Sequence, residues 1–264
     1  MSGEFSAEWL RLREPSDARA RNEAVAGRLA AWCAGRESLR IVDLGAGTGA
    51  NMRWLGPRLA PQQAWTLVER DERLIEAGSA ALKGPVCYRR LDLATDLERL
   101  ADEPADVIAG SALLDLVSRA WLARLVGLRR RRGAALYFAL SFDGRIAWEP
   151  ADPGDEMIRD LVNTHQRSDK GFGPAAGPDA VKLLRALLDP ADGALEIGRS
   201  DWDLGPADVA LQRVLLEGHA VAAMGVRPER HGEILTWAAR RQALISAGSS
   251  WLRVGHLDLA LIPS

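Results

Sequence analysis

The sequence predicts an α/β domain: a doubly wound, mostly parallel sheet of seven strands with helices on both faces, a helical N-terminal extension and a cap inserted after strand five. Three observations predict it. Short apolar runs of strand length alternate with helical patterns between residues 38 and 142. The stretch "IVDLGAGTGAN" at 41–51 ends a strand in an acid and then places glycine at every second position. The 264 residues are 47% hydrophobic and 27% charged, the balance of a chain that buries one large core.

In chain order, residues 5–35 read as helical, with Pro15 suited to a first turn and Ser16 or Asp17 as capping residues. Strands follow at "LRIVDL" (39–44), "AWTLVE" (64–69), "VCYRRL" (86–91), "ADVIAG" (105–110) and "AALYFALSF" (134–142). Helical patterns lie between them, as a parallel sheet covered on both faces requires. Residues 143–180 are rich in Pro, Gly and charge, with helix expected near 155–167. A loop this long in a compact fold is functional or disordered. Helical "AVKLLRALLD", a strand at 195–204, helices at 207–223 and 231–247 and a closing strand "WLRVGHLDLALIP" complete the chain. In the second of those helices Ile234, Trp237, Ala238, Leu244 and Ile245 share one face, and the pair suits packing on the sheet, shaping a substrate pocket or a homodimer interface. The organisation expected is one domain over 1–264: a helical lid at 1–37, a cofactor core at 38–142, a cap at 143–190, and C-terminal strands with a helical insertion at 191–264.

Several function classes recede on composition. A net charge of −2 gives no basic field for nucleic acid or an anionic membrane. The run Arg129–Arg132 reads as a solvated helix end, with an RNA contact as the lesser alternative. Cys33 and Cys87 are isolated and read as buried thiols of a reducing compartment. His219, His231 and His256 fall on separate elements without ligand spacing, so no metal is expected, and His256 reads as a core histidine. The N-terminus lacks signal-peptide character, and no run of about 18 uncharged apolar residues occurs, so a cytoplasmic location is expected.

The glycine turn admits two ligands. Gly45, Gly47 and Gly49 form G-x-G-x-G, but Ala50 also completes the dinucleotide pattern G-x-G-x-x-G/A, so spacing alone leaves the choice open. In either case glycine permits a tight strand-to-helix turn and close approach of a ligand to the backbone, with free N–H groups near Thr48–Asn51. Asp43, two residues before the first glycine, decides more: its charge opposes a pyrophosphate and suits an ammonium or sulfonium. Glu69, at the end of the second strand, suits ribose hydroxyls. Asp92 suits an adenine amine, with the Leu93 amide meeting a ring nitrogen. The competing readings are a structural turn for the glycines and solvated strand ends for Glu69 and Asp92.

Taken in order and spacing, "VDLGAGTGAN", "LVERD", "RLDLA" and "DVIAGSALLDLVS" resemble the class I S-adenosylmethionine (SAM)-dependent methyltransferases over residues 38–142. The resemblance implies SAM as cofactor and S-adenosylhomocysteine (SAH) as product. It assigns Asp43, Gly45, Gly47 and Gly49 to the methionine end, Glu69 to the ribose and Asp92 to the adenine. Ala46, Thr48, Asn51, Arg70, Leu93, Ser111 and Ala112 complete the expected cofactor set from the same loops. Two departures stand out. "GSALLDLVS" replaces the (Asp/Asn)-Pro-Pro-(Tyr/Phe) tetrapeptide of many DNA, RNA and glutamine N-methyltransferases. About fifty residues with two helices also intervene where a short hairpin joins the last two strands in that family.

The acceptor end is expected beyond the C-terminal strand ends, from Ser111–Leu116, "SFDGR", the insert and the N-terminal helix. His165 suits a base or a hydrogen-bond donor, and equally a surface histidine. Asp115 suits the methyl centre or a helix cap. Arg167 and Lys170 suit a carboxylate or phosphate, or salt bridges to Asp169 or Asp155. Phe172, between two glycines, presents an aromatic ring, and Trp148 suits stacking on a flat substrate. Arg13, Asp17 and Arg21 are lid contacts or solvated charges. The function expected is methyl transfer from SAM to a small-molecule acceptor. The alternatives are an RNA or protein methyltransferase, a SAM-binding protein without activity, and a nicotinamide oxidoreductase, the last opposed by Asp43 and the lack of a Tyr-x-x-x-Lys pair.

Overall fold

The computed structural model describes residues 6–59, 62–82 and 86–263; the first five residues of the expected lid lie outside these. The N-terminal segment is two helices, α1 (Ala7–Ala20) and α2 (Glu23–Cys33). Ser6 caps α1 by accepting from the Trp9 amide at 3.1 Å, and Asn22 caps α2 through Val25 at 3.0 Å. This earlier cap corrects the expected helix start. Pro15 lies inside α1, and Ser16 and Asp17 are buried helix residues. Proline cannot donate a helical bond; the helix runs through it with Asp17 held from outside by the Trp202 indole at 3.0 Å.

The alternation then follows the sequence: β1 (Leu39–Leu44), α3 (Ala50–Leu55), β2 (Gln63–Glu69), α4 (Glu72–Ala81), β3 (Val86–Arg90), α5 (Leu93–Asp96), β4 (Val107–Ser111), α6 (Arg119–Arg132) and β5 (Ala135–Glu149). Beyond these come α7 (Asp155–Gln166), α8 (Ala180–Leu187), β6 (Ala194–Arg199), β7 (Trp202–Leu204), α9 (Val209–Val226), α10 (His231–Ser246) and β8 (Trp251–Ile262). The sheet order is β3-β2-β1-β4-β5-β8-β6, with β7 paired to β8. The first five strands are parallel, and β8 runs antiparallel to β5 and β6. The order reverses between β1 and β4, the switch point where open α/β sheets leave a crevice at the strand ends.

Apolar alternation puts Val42, Leu44, Ile108, Leu136 and Phe138 on one face with Trp121, Leu122 and Leu125 of α6. Ile41, Leu67, Val107 and Tyr137 lie on the other with Val25, Leu29 and Cys33 of α2. Fully burying such an aliphatic side chain is worth ~1.5–3 kcal/mol, so the two layers carry the fold. Cys33 is buried as expected, whereas Cys87 is exposed.

Two features differ from the seven-strand expectation. The run 195–204 splits into β6 and β7, which pair opposite halves of β8. At the break the Ser200 amide donates to His256 O at 3.0 Å, while Asp201 takes the Arg145 guanidinium at 2.6 and 2.8 Å. In addition, β5 continues to Glu149 through register shifts after Phe138 and Phe142. Leu140, at a φ of 56°, donates its amide to the fully buried Asp258 at 2.8 Å, and Asp258 also accepts from the Asn22 amide at 2.8 Å. The outer halves of β5 and β8, with β7, form a ledge beyond the main sheet. Ile158 of α7, Leu211, Leu216 and Ala223 of α9, and Ile234 and Trp237 of α10 bury themselves on it. The cap therefore begins after the ledge strand, and both insertions fold together as one layer.

The arginine run is also more structured than a solvated end. Arg129 is 4% exposed, donating to Ala134 O and Asp192 at 2.9 Å each, and Arg130 pairs with Asp189 and Asp192 at 2.8 and 2.6 Å. The turn before β6 docks on this end of α6. Residues Pro206–Val226 have the length and composition of a membrane span, with mean hydropathy 1.2 over 18 residues; here α9 packs against α7 and α10.

Candidate functional site

The ends of β1, β2, β3 and β4 open into a cavity of about 620 Å³, walled by α1 on one side and the α7–α8 loop on another. Its floor is the glycine turn. Gly45, Gly47 and Gly49 have φ of 65°, 55° and 82°, the left-handed region that side chains avoid. A Cβ on Gly49 would also stand 2.7 Å from Leu82 Cδ1. The helix that follows, α3, is only six residues long, and the Ala46, Gly47 and Gly49 amides of the turn bond Val68 O, Glu69 and Ala46 O.

Glu69 fixes that turn to the end of β2. Its carboxylate accepts from the Gly47 amide at 2.9 Å and from the Arg70 and Asp71 amides at 2.7 and 3.0 Å. Oε1 takes two of these bonds and Oε2 one, so Oε2 keeps lone-pair capacity in the cavity that Glu69 lines. Tyr88 grips the same turn by donating to Gly47 O at 3.0 Å; burial pushes its phenol up to about 12, so it remains a donor. Asp92 accepts from the Ala94 amide at 2.9 Å and stands 3.7 Å from Arg70, leaving its carboxylate at the cavity wall beside Leu93. Ser111 and Ala112 line the wall after β4, and Ala112 is held at a φ of 51° while its amide donates to Ala139 O at 2.9 Å.

Of the expected cofactor set, Gly45, Ala46, Gly47, Thr48, Asn51, Glu69, Arg70, Asp92, Leu93, Ser111 and Ala112 line this one cavity. Asp43 and Gly49 do not; they lie beneath it. Asp43 is fully buried, with Oδ1 accepting from Asn51 at 2.7 Å and Oδ2 without a partner. Burial pushes its pKa up to about 6, against the Asn51 bond and the nearby Arg21 charge. The expectation that Asp43 meets the ligand directly is therefore corrected: Asn51 stands between, its own Oδ1 accepting from Arg21 at 2.7 Å. Arg21 also donates to Ser111 at 3.1 Å, so it ties the two walls together.

The other end of the cavity is lined by Leu10, Arg13 and Asp17 of α1, by Leu113 and Leu116 after β4, and by Lys170 and Phe172. Arg13 pairs with Asp17 at 2.9 Å and lies over the Trp9 and Trp202 rings at 5.9 and 5.0 Å. Arg13, Asp17 and Arg21 are all buried, which overturns their reading as solvated charges. Leu10, Leu113 and Leu116 lie in the N-terminal helix and the Ser111–Leu116 segment expected at the acceptor end, whereas sequence reasoning missed Tyr88. The i,i+4 spacing of Arg13 and Asp17 was a legible signal of their pairing; Tyr88 offered none, since its contact crosses the sheet.

The remaining expectations are placed elsewhere. His165 does not line the cavity. Its ring lies 3.4 Å from Lys170 Nζ, and burial and that ammonium lower its pKa. Asp115 is buried behind Leu113 and Leu116 with Oδ1 unpartnered and a pKa raised by burial to about 6; it does not cap α6, a role filled by Ser118 at 3.2 Å from the Trp121 amide. Trp148 is buried in the ledge core, edge-on to Trp237 and His219 at 5.3 and 5.7 Å, so it is not a substrate-stacking surface. Arg167 pairs with Asp179 at 2.8 Å and lines a separate groove. His256 is a core residue packed against Trp202 and Phe142, although its Nδ1 has no partner. No group of three or more His, Cys, Asp or Glu that could hold a metal occurs among the described residues.

No protein-family profile and no curated protein matches the chain. Among solved structures it is similar to the YcgJ protein of Bacillus subtilis, with TM-score 0.51 and 13% identity over 92% of this chain and 100% of that one. It is likewise similar to a cyclopropane-fatty-acyl-phospholipid synthase-like protein of Lactobacillus casei, with TM-score 0.51 and 12% identity over 98% and 94%. A SAM-dependent methyltransferase of Thiobacillus denitrificans, solved with SAH, aligns at TM-score 0.45 and 13% identity over 98% and 99%. The two likenesses at TM-score 0.51, with the strand order, the antiparallel β8 and the glycine turn at the switch point, show a Rossmann-like α/β methyltransferase fold.

Proposed function

We propose that the protein binds SAM in this cavity and transfers its methyl group to a small molecule. The observation that carries the reading is the convergence of the glycine turn, Glu69 and Asp92 on one cavity. The residues fit the cofactor: the turn is a cradle that side chains would fill, and Glu69 keeps acceptor capacity after its three backbone bonds. SAM, when bound, supplies an electrophilic methyl on a sulfonium. Glu69 would take the ribose hydroxyls, Asp92 and the Leu93 amide the adenine, and the Gly45–Thr48 backbone with Asn51 the methionine end. Asp43 and Arg21 act through Asn51, orienting its amide by a bond at each end.

At the far end, Leu10, Leu113, Leu116 and Phe172 exclude water from the acceptor, which favours in-line transfer through alignment and desolvation. A walled cavity suits a small molecule over a folded protein or a nucleic acid, and the net charge of −2 agrees. Incubation with methyl-¹³C SAM and fractionated small-molecule extract tests the reading by mass spectrometry. The expected result is SAH release above a no-extract blank with label in a compound of small mass. SAH release only with the protein or RNA fraction would contradict it.

A further inference from the structure

Among the described residues, five cations line the cavity, and four are matched by acids that line it too. Arg13 pairs with Asp17 at 2.9 Å, Arg70 with Asp92 at 3.7 Å, Arg73 with Asp71 at 2.8 Å and Arg90 with Glu72 at 2.8 Å. Lys170 is the fifth. Its ammonium meets only neutral groups among the described residues: His165 O at 3.1 Å, Ser168 Oγ at 2.9 Å and His165 Nδ1 at 3.4 Å. The acids expected to neutralise it are engaged elsewhere. Asp169 accepts from the Gly171 and Gly173 amides at 2.7 and 3.0 Å, and Asp155 is paired with Arg241.

Those two bonds from Asp169 bend the loop through Gly171 and Gly173, at φ of 97° and 82°. The bend sets Phe172 edge-on to Trp121 at 5.9 Å, and both Phe172 and Lys170 face the cavity that Leu113 and Leu116 line. One uncompensated, half-buried cation thus stands beside an aromatic and aliphatic wall. A half-buried ammonium gains most from an anion that brings its own charge, because water around it is already depleted.

We infer that the acceptor carries a carboxylate or phosphate beside a flat apolar body, and that Lys170 holds the anion while Phe172 and its aliphatic neighbours hold the body. This rests on the methyltransferase reading above. Burial also lowers the Lys170 pKa, which an incoming anion would reverse. A lysine with a purely structural role would serve only to bond His165 O at the C-terminal end of α7.

The test uses the full chain saturated with SAH and three probes: 2-naphthoate, 2-naphthyl phosphate and neutral 2-naphthamide. SAH affinity, read first by calorimetry, reports separately on the cofactor end. The expected result is that one or both anions bind at least tenfold tighter than the amide, a preference lost in Lys170→Met and kept within about threefold in Lys170→Arg. Preference for the phosphate over the carboxylate, or the reverse, would identify which anion the acceptor carries. With SAH bound normally, equal binding of all three probes, or an anion preference unchanged in Lys170→Met, would overturn the inference and leave the methyltransferase reading standing. A lower melting temperature in Lys170→Met with the preference intact would assign the lysine to α7 alone. No SAH binding by the wild type would overturn both.

Discussion

The two ends of the cavity are built by different means. At the nucleoside end, the wall is backbone at the ends of parallel strands, and Glu69 reaches donors no further away than Gly47 and Asp71. At the acceptor end, α1, the β4–α6 turn and the α7–α8 loop converge from positions more than 150 residues apart, held by contacts such as Trp202 to Asp17. The first end is fixed by local chain geometry. The second depends on a ledge and a helical layer that must fold before it has a shape.

Substitutions that separate the ends should therefore behave differently. The largest effect is expected from Gly49→Val, which forces a β-branched residue into a left-handed conformation against Leu82. The strain is about 1–3 kcal/mol, and calorimetry should show SAH affinity lowered beyond about 100-fold while the ledge keeps its near-ultraviolet tryptophan signal. A loss of that signal would show that the two regions fold as one unit.

Acid titration distinguishes the regions by sign. Buried His219, in the ledge, has its pKa lowered by desolvation from 6.5 to about 4. The unfolded chain therefore takes up its proton first, and stability falls as pH drops from about 6.5 to 4. Asp43, under the turn, has its pKa raised by burial from 3.8 to about 6, so the native state holds the extra proton and stability instead falls as pH rises from about 4 to 6. His219→Leu should flatten the acid-side loss and Asp43→Asn the opposite trend, each by up to roughly 3 kcal/mol, read from denaturant midpoints at pH 4, 5, 6 and 7. Identical slopes in wild type and variants would remove the distinction.

Smaller effects sharpen it. Glu69→Ala should weaken SAH at least tenfold, about 1.4 kcal/mol, with little change in melting temperature, because the neighbouring amides regain water. Trp202→Phe removes one buried hydrogen bond to Asp17 and should cost about 1 kcal/mol of stability. Its effect on SAH should be below twofold, as measured by the same titration.

The same contrast decides what the sequence could reveal. Asp43 through Asn51, Glu69 and Asp92 are legible because strand period and turn chemistry are local properties. Even there, the Asn51 amide interposed above Asp43 is a matter of side-chain packing that spacing does not carry. The ledge was hidden because "DGRIAWE" at 143–149 reads as polar loop, and becomes a strand only by pairing with β8, about a hundred residues away. Trp148 followed from that: beside a loop it suits a substrate, and on a ledge strand it belongs to the core. Arg13 and Asp17 read as solvated because the distant Trp202, which stacks on the one and bonds the other, is not visible from their neighbourhood in sequence. Lys170 and Phe172 reached the cavity because the glycines around the ring predict a shaped loop, and Arg167, three residues earlier, went to Asp179 instead.

The most direct measurement is calorimetric titration of the purified protein with SAM, SAH and NADH, for the wild type and Glu69→Ala. The account predicts saturable binding of both adenosyl ligands, weakened at least tenfold in the variant, and no heat from NADH. NADH binding that Glu69→Ala weakens, or adenosyl binding that the substitution leaves unchanged, would contradict the assignment of this cavity.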